Sequence, residues 1–105
     1  MDVRDNAADS RYEIVDGADS DQQSVAGYIE YHDHNGRRAF NHTVVEPAYE
    51  GKGVGSALAR GALDDARSRG LPVLPYCPFV RSYLQRHAEY VDLVPEDERA
   101  KFDLS

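Results

Sequence analysis

The sequence predicts an α+β domain: a mixed β-sheet with helices packed against it, in the order β-β-β-α-β-α-β. Strand-like segments separated by turn chemistry fill the chain up to Val45. A helical apolar period then begins at Val54, and a second helix begins at Pro78. The short apolar segment between these helices returns to the sheet over a crossover helix. It must therefore lie parallel to a neighbour, which makes the sheet mixed.

The 105 residues allow one domain. Residues 1–10 are polar and patternless and are expected to form a disordered acidic tail, with the domain over 11–95 and a charged C-terminal tail over 96–105. Arg11–Asp16 reads as the first strand, with Tyr12, Ile14 and Val15 apolar, and Gly17–Gln23 as a turn. Ser24–His32 is the second strand; Val25, Gly27, Ile29 and Tyr31 share one face and Tyr28 takes the other. Asp33-His34-Asn35-Gly36 closes a hairpin, since Asn-Gly accepts the positive φ of such turns. Arg37–Val45 is the returning strand, ending in the β-branched run Thr43-Val44-Val45.

From Val54 to Arg69, Val54, Leu58, Ala62 and Ala66 recur at every fourth position, and Ala59 and Leu63 widen the stripe. Gly70 suits the helix end. Leu71–Tyr76 is a short strand whose Pro72 and Pro75 point to an edge or a bulge. Pro78 opens the second helix, which runs to His87 with Phe79, Val80, Tyr83, Leu84 and His87 on one face. Tyr90–Val94 is a candidate last strand.

The net charge of -7 argues against nucleic acid and anionic membrane surfaces, whose phosphates it would repel. The carboxylates crowd the two ends. Between Arg37 and Arg86, Lys and Arg outnumber the four carboxylates Glu46, Glu50, Asp64 and Asp65, a balance that suits an anionic small ligand and equally a solvated helix face. No run reaches the length of a membrane span, and the N-terminus has no basic and apolar regions of a secretory signal. The single cysteine, Cys77, fits a cytoplasmic setting.

Glu50-Gly51-Lys52-Gly53-Val54-Gly55, between a strand and a helix, is the most informative stretch. Free amides at a helix N-terminus bind phosphate, and glycines let it approach the backbone. The P-loop pattern is absent, and the dinucleotide fingerprint fails at Ser56. Gly53 and Gly55 do satisfy the acetyltransferase pattern Gln/Arg-x-x-Gly-x-Gly/Ala, with Glu50 standing where Gln or Arg is usual. Together with Val73–Val80 and Tyr83–Tyr90, the segment His42–Gly55 resembles the small GCN5-related N-acetyltransferases of the YjdJ-like group. That resemblance implies a splayed three-layer sheet and acetyl-CoA (or coenzyme A) as cofactor. The pyrophosphate would lie on Glu50, Gly51, Lys52, Gly53, Val54 and Gly55, and the pantetheine along Val44, Val45 and Glu46. The partners implied are acetyl-CoA and an amine acceptor, either a small molecule or a protein.

Cys77 precedes Pro78 and falls at the start of the second helix, where the dipole favours thiolate. His42 could act as its base. The resemblance places both residues at the acetyl group, and it puts Tyr83 where a tyrosine protonates the departing thiolate. Each has a structural alternative: a buried small hydrophobe for Cys77, a backbone-bonded strand histidine for His42, core packing for Tyr83. His32, His34 and His87 read as turn or structural residues, and no clustered ligand set points to a metal. The short turn between the first two strands leaves no room for a helix pair, so an open, shallow acceptor side is expected. A coenzyme A–binding module without turnover, and an interaction domain without coenzyme A, remain the alternatives.

Overall fold

The computed structural model describes residues 1–17 and 22–104. It shows a five-stranded mixed sheet in the order β1-β2-β3-β4-β5. The strands are β1 (Asp2–Asn6), β2 (Arg11–Asp16), β3 (Ser24–His34), β4 (Arg37–Val45) and β5 (Val73–Pro75); the helices are α1 (Val54–Ser68) and α2 (Pro78–Arg86). β1 to β4 pair antiparallel, and β5 runs parallel to β4. In the β3–β4 turn both Asn35 and Gly36 have positive φ, as an Asn-Gly hairpin requires.

Strand alternation places Tyr12, Ile14, Ile29, Tyr31 and Phe40 on one face, where all are buried. Helix α1 covers them with the expected stripe: Val54, Leu58, Ala59, Ala62, Leu63 and Ala66 are its buried residues. Each large side chain among these contributes about 1.5–3 kcal/mol by leaving water. Helix α2 adds Val80, Tyr83 and Leu84 to the same core. The two helices touch where Gly55 of α1 meets the Phe79 ring. Both helices thus share one core against the sheet, and the expected mixed α+β architecture is observed. On the opposite face Glu30, His32 and His42 are exposed, while Glu13 is covered.

The chain ends also differ from expectation. Residues 1–10 are not a disordered tail: Asp2–Asn6 is an edge strand and Ala7–Asp9 a 3-10 turn. Polar pairing rather than apolar patterning fixes them, so hydropathy gave no signal. Tyr90–Val94 is not a strand, because Ala88–Leu93 winds as a 3-10 helix. A strand there would need the free edge of β5, where Pro72 and Pro75 offer no N–H. The C-terminal tail folds back through two further 3-10 turns, and Phe102 is buried edge-on against Tyr76 at 5.2 Å between ring centroids. The expected turn over Gly17–Gln23 falls partly on residues 18–21, outside the described residues.

One irregularity positions the site. β4 and β5 pair only through Arg38↔Val73, Ala39↔Leu74 and Phe40↔Pro75. Cys77 then donates its N–H to Phe40 O at 2.8 Å, and the two segments part. Beyond Phe40, among the described residues, this side of β4 has no strand beside it. Glu46 N–H bonds Ala26 O across β3, so by alternation the peptide groups of Thr43 and Val45 turn toward the open side.

Candidate active site

The glycine loop lies at the mouth of this opening. Gly51 and Gly53 take φ of 77° and 73°, a left-handed conformation that reverses the chain into α1. Gly53 is the N-cap of α1 and supplies no side-chain hydrogen bond. The first helical bond is Ala57 N–H to Gly53 O, which leaves the N–H groups of Val54, Gly55 and Ser56 to be satisfied from outside. These residues line an open groove of about 230 Å³, together with Val45, Tyr49, Glu50, Gly51, Gly53 and Phe79. Most of the expected cofactor-binding set is thus brought together. Val44 and Lys52 are not among the lining residues: Val44 points to the exposed sheet face, and Lys52 Nζ stands 5.9 Å from the Tyr49 ring centroid.

Cys77 is the N-cap of α2 and is 2% exposed. Its Sγ lies 3.0 Å from Thr43 Oγ1, a hydrogen bond in which either atom can donate. His42, one residue away on β4, turns to the opposite face, where it is exposed and pairs across the ladder with Glu30. The structure therefore does not bring His42 to Cys77; the thiol's partner is Thr43. Tyr83 lies six residues along α2, roughly 9 Å from Cys77 along the helix axis. It is 4% exposed, stacks on His87 at 4.0 Å and stands 6.0 Å from the Tyr90 ring. Burial raises its pKa, so it holds its proton at neutral pH.

A groove of free helix amides joined to an opened strand edge is a site for a long ligand with an anionic group part-way along it. The family model described as GCN5-related N-acetyl-transferase matches residues 11–93. The chain belongs to this family. Streptothricin acetyltransferase of Streptomyces lavendulae is 41% identical over 63 residues, 60% of this chain. This chain spans about a third (33%) of that relative's length. The solution structure of a GCN5-like N-acetyltransferase candidate from Staphylococcus aureus superposes with a TM-score of 0.66 at 22% identity, covering 90% of this chain and 88% of that one, which shows the fold.

Four residues of the groove and its cysteine end were not expected from sequence: Thr43, Tyr49, Ser56 and Phe79. Thr43 reaches the inner face with Val45 because the register shift at Asn41 reverses the alternation set by Phe40, and nothing in the local sequence marks that bulge. Phe79 reads as an ordinary core position of α2, and only its contact with Gly55 shows it to be a groove wall. Tyr49 carries no local pattern at all.

Proposed function

We propose that this chain is an acetyl-CoA-dependent N-acetyltransferase acting on an amine. The observation that carries the reading is the continuity of three features: the uncapped α1 N-terminus, the opened edge of β4, and the Cys77–Thr43 pair at the closed end of that edge. The donor set fits the cofactor, since backbone amides at a helix N-terminus suit a pyrophosphate and unpaired strand amides suit a pantetheine arm. Bound acetyl-CoA supplies an acyl group activated as a thioester. In this reading Val54, Gly55 and Ser56 hold the phosphates, Lys52 adds positive charge, and Thr43 and Val45 orient the arm. Glu50 opposes the phosphates and tempers affinity.

Cys77 and Thr43 are hydrogen-bonded at 3.0 Å and form the pair placed to give or take a proton at the opening. His42 is exposed on the outer face beside the same opening, where it would accept the proton of an amine arriving over the uncovered sheet. Tyr83 keeps its proton and remains the candidate general acid. The open outer face supports a shallow acceptor side. The unpaired thiol of Cys77 fits a cytoplasmic setting.

The near-complete burial of Cys77 favours a second reading, a coenzyme A–binding module without turnover. Calorimetric titration with coenzyme A, joined to an acetyl-transfer assay over a panel of amines, separates the two. Binding with turnover is expected. Binding alone would leave the module, and no binding would remove both.

A further inference from the structure

The segment from Glu46 to Gly53 must hold its shape for the α1 amides to face the groove, yet it has little to hold it. Past the Glu46 N–H bond to Ala26 O, its backbone bonds are local, Tyr49 N–H to Glu46 O and Glu50 N–H to Pro47 O. Two of its glycines take left-handed φ, and the helix it leads into has no side-chain cap. Tyr49 is the tie to the rest of the fold. Its phenol donates to Asp16 Oδ2 at 3.0 Å, 33 residues away, and the phenol oxygen in turn accepts from the Ser24 hydroxyl. Asp16 and Ser24 are the last cross-strand pair of β2 and β3, so the anchor is the paired end of these strands. The Tyr49 ring meanwhile lines the groove.

We propose that Tyr49 is a positioning residue for the cofactor's phosphates: its hydroxyl, clasped by Asp16 and Ser24, fixes the glycine loop at the angle that aims the α1 amides into the groove. This rests on the reading of the groove as a coenzyme A site. The hydroxyl need not touch the ligand. It removes the loop's freedom beforehand, so that binding does not have to order the loop.

The test is calorimetry on Tyr49→Phe, which keeps the ring in the groove and removes only the hydroxyl. The dissociation constant for coenzyme A should rise roughly three- to tenfold, the effect of one lost hydrogen bond. That for pantetheine, which lacks the pyrophosphate, should stay unchanged. Asp16→Ala should weaken coenzyme A binding too. In the Tyr49→Phe background it should cause no further loss, because the clasp is already open and only the removal of a negative charge near the phosphates remains. Circular dichroism and melting temperature should match wild type; if Tyr49→Phe does not fold, Asp16→Ala carries the test. Wild-type binding with affinity of Tyr49→Phe within about twofold overturns the positioning role alone, since one lost hydrogen bond should exceed that. An equal loss for pantetheine also overturns it, because the defect would not lie at the phosphates. A wild type that binds no coenzyme A removes the cofactor site and this role with it.

Discussion

Whether Cys77 acts in chemistry turns on its contact with Thr43. A buried cysteine with only apolar neighbours is a small hydrophobe, whereas this thiol lies 3.0 Å from a hydroxyl at the point where two strands part. If the pair moves a proton, Cys77→Ala should lower turnover by about 10²-fold or more while leaving coenzyme A affinity nearly intact. Thr43→Val, of similar shape, should give a smaller loss of the same kind. Activity of Cys77→Ala equal to wild type on any accepted amine would reduce the thiol to packing. His42→Gln should lower turnover without changing coenzyme A affinity, as expected of a group on the acceptor side. Cys77 was legible in the sequence because Pro78 marks a helix start. Its partner was misread because simple alternation from the buried Phe40 sets His42 inward. The register shift at Asn41 instead turns His42 outward and brings Thr43 to the thiol.

For helix α1 the glycines have separate jobs, and substitution should separate them. An added Cβ at Gly55 would lie 2.7 Å from Phe79 Cζ, so Gly55 is where α1 and α2 close on each other. Gly55→Ala should therefore cost about 1–3 kcal/mol by overpacking, and the double variant with Phe79→Ala should show a smaller combined loss than the two singles added. At Gly53 nothing lies within 4 Å of the added carbon, but φ is +73°. Gly53→Ala should cost about 1–2 kcal/mol from left-handed strain, independently of Phe79. Urea denaturation of the four variants measures both effects. A Gly55 substitution thus tests helix packing before it tests phosphate approach. The position of α1 and its whole buried stripe were legible, because the apolar period there is unbroken and a Gly-rich loop precedes it. Tyr90–Val94 was misread as a strand because apolar residues without a free ladder edge can only pack, here in 3-10 turns over α2.

Across the whole molecule the sheet is closed by charge as much as by apolar contact. On the inner face Arg38, 5% exposed, donates to both oxygens of Asp33 at 2.7 and 2.8 Å and to the Tyr12 hydroxyl at 2.6 Å. Tyr12 donates to Asp65 of α1, and Tyr31 donates to Asp5 of β1, each at 2.6 Å. Burial and the bond to Asp5 push the Tyr31 phenol up to about 12, so it remains a donor at working pH. On the outer face Glu13, 2% exposed, accepts from Arg4 at 2.9 Å, Asn6 at 3.1 Å and Arg11 at 2.8 Å, which ties β1 to β2. None of these partners forms a hydropathic pattern, which is why an N-terminal strand with Val3 as its one large apolar residue read as a tail. The same network makes stability depend on acid. Burial alone would raise the Glu13 pKa, but the bonds from Asn6, Arg11 and Arg4 outweigh it and hold the carboxyl below its ordinary 4.5. The Arg38 bond holds Asp33 below 3.8 in the same way. A depressed folded-state pKa stabilises the fold above the unfolded value, and that contribution is lost as pH falls through the folded value. Melting temperature should therefore hold steady from neutrality to about pH 5 and fall below the ordinary Glu value. Glu13→Gln should cost about 1–3 kcal/mol at pH 7, where three donors lose a charged acceptor. The gap between variant and wild type should narrow as pH drops below 4.5, because the unfolded carboxyl is protonated there while the folded one is still charged, which favours the unfolded wild type. A gap that stays constant from pH 7 to pH 3 would mean that the Glu13 charge does not hold β1 in place.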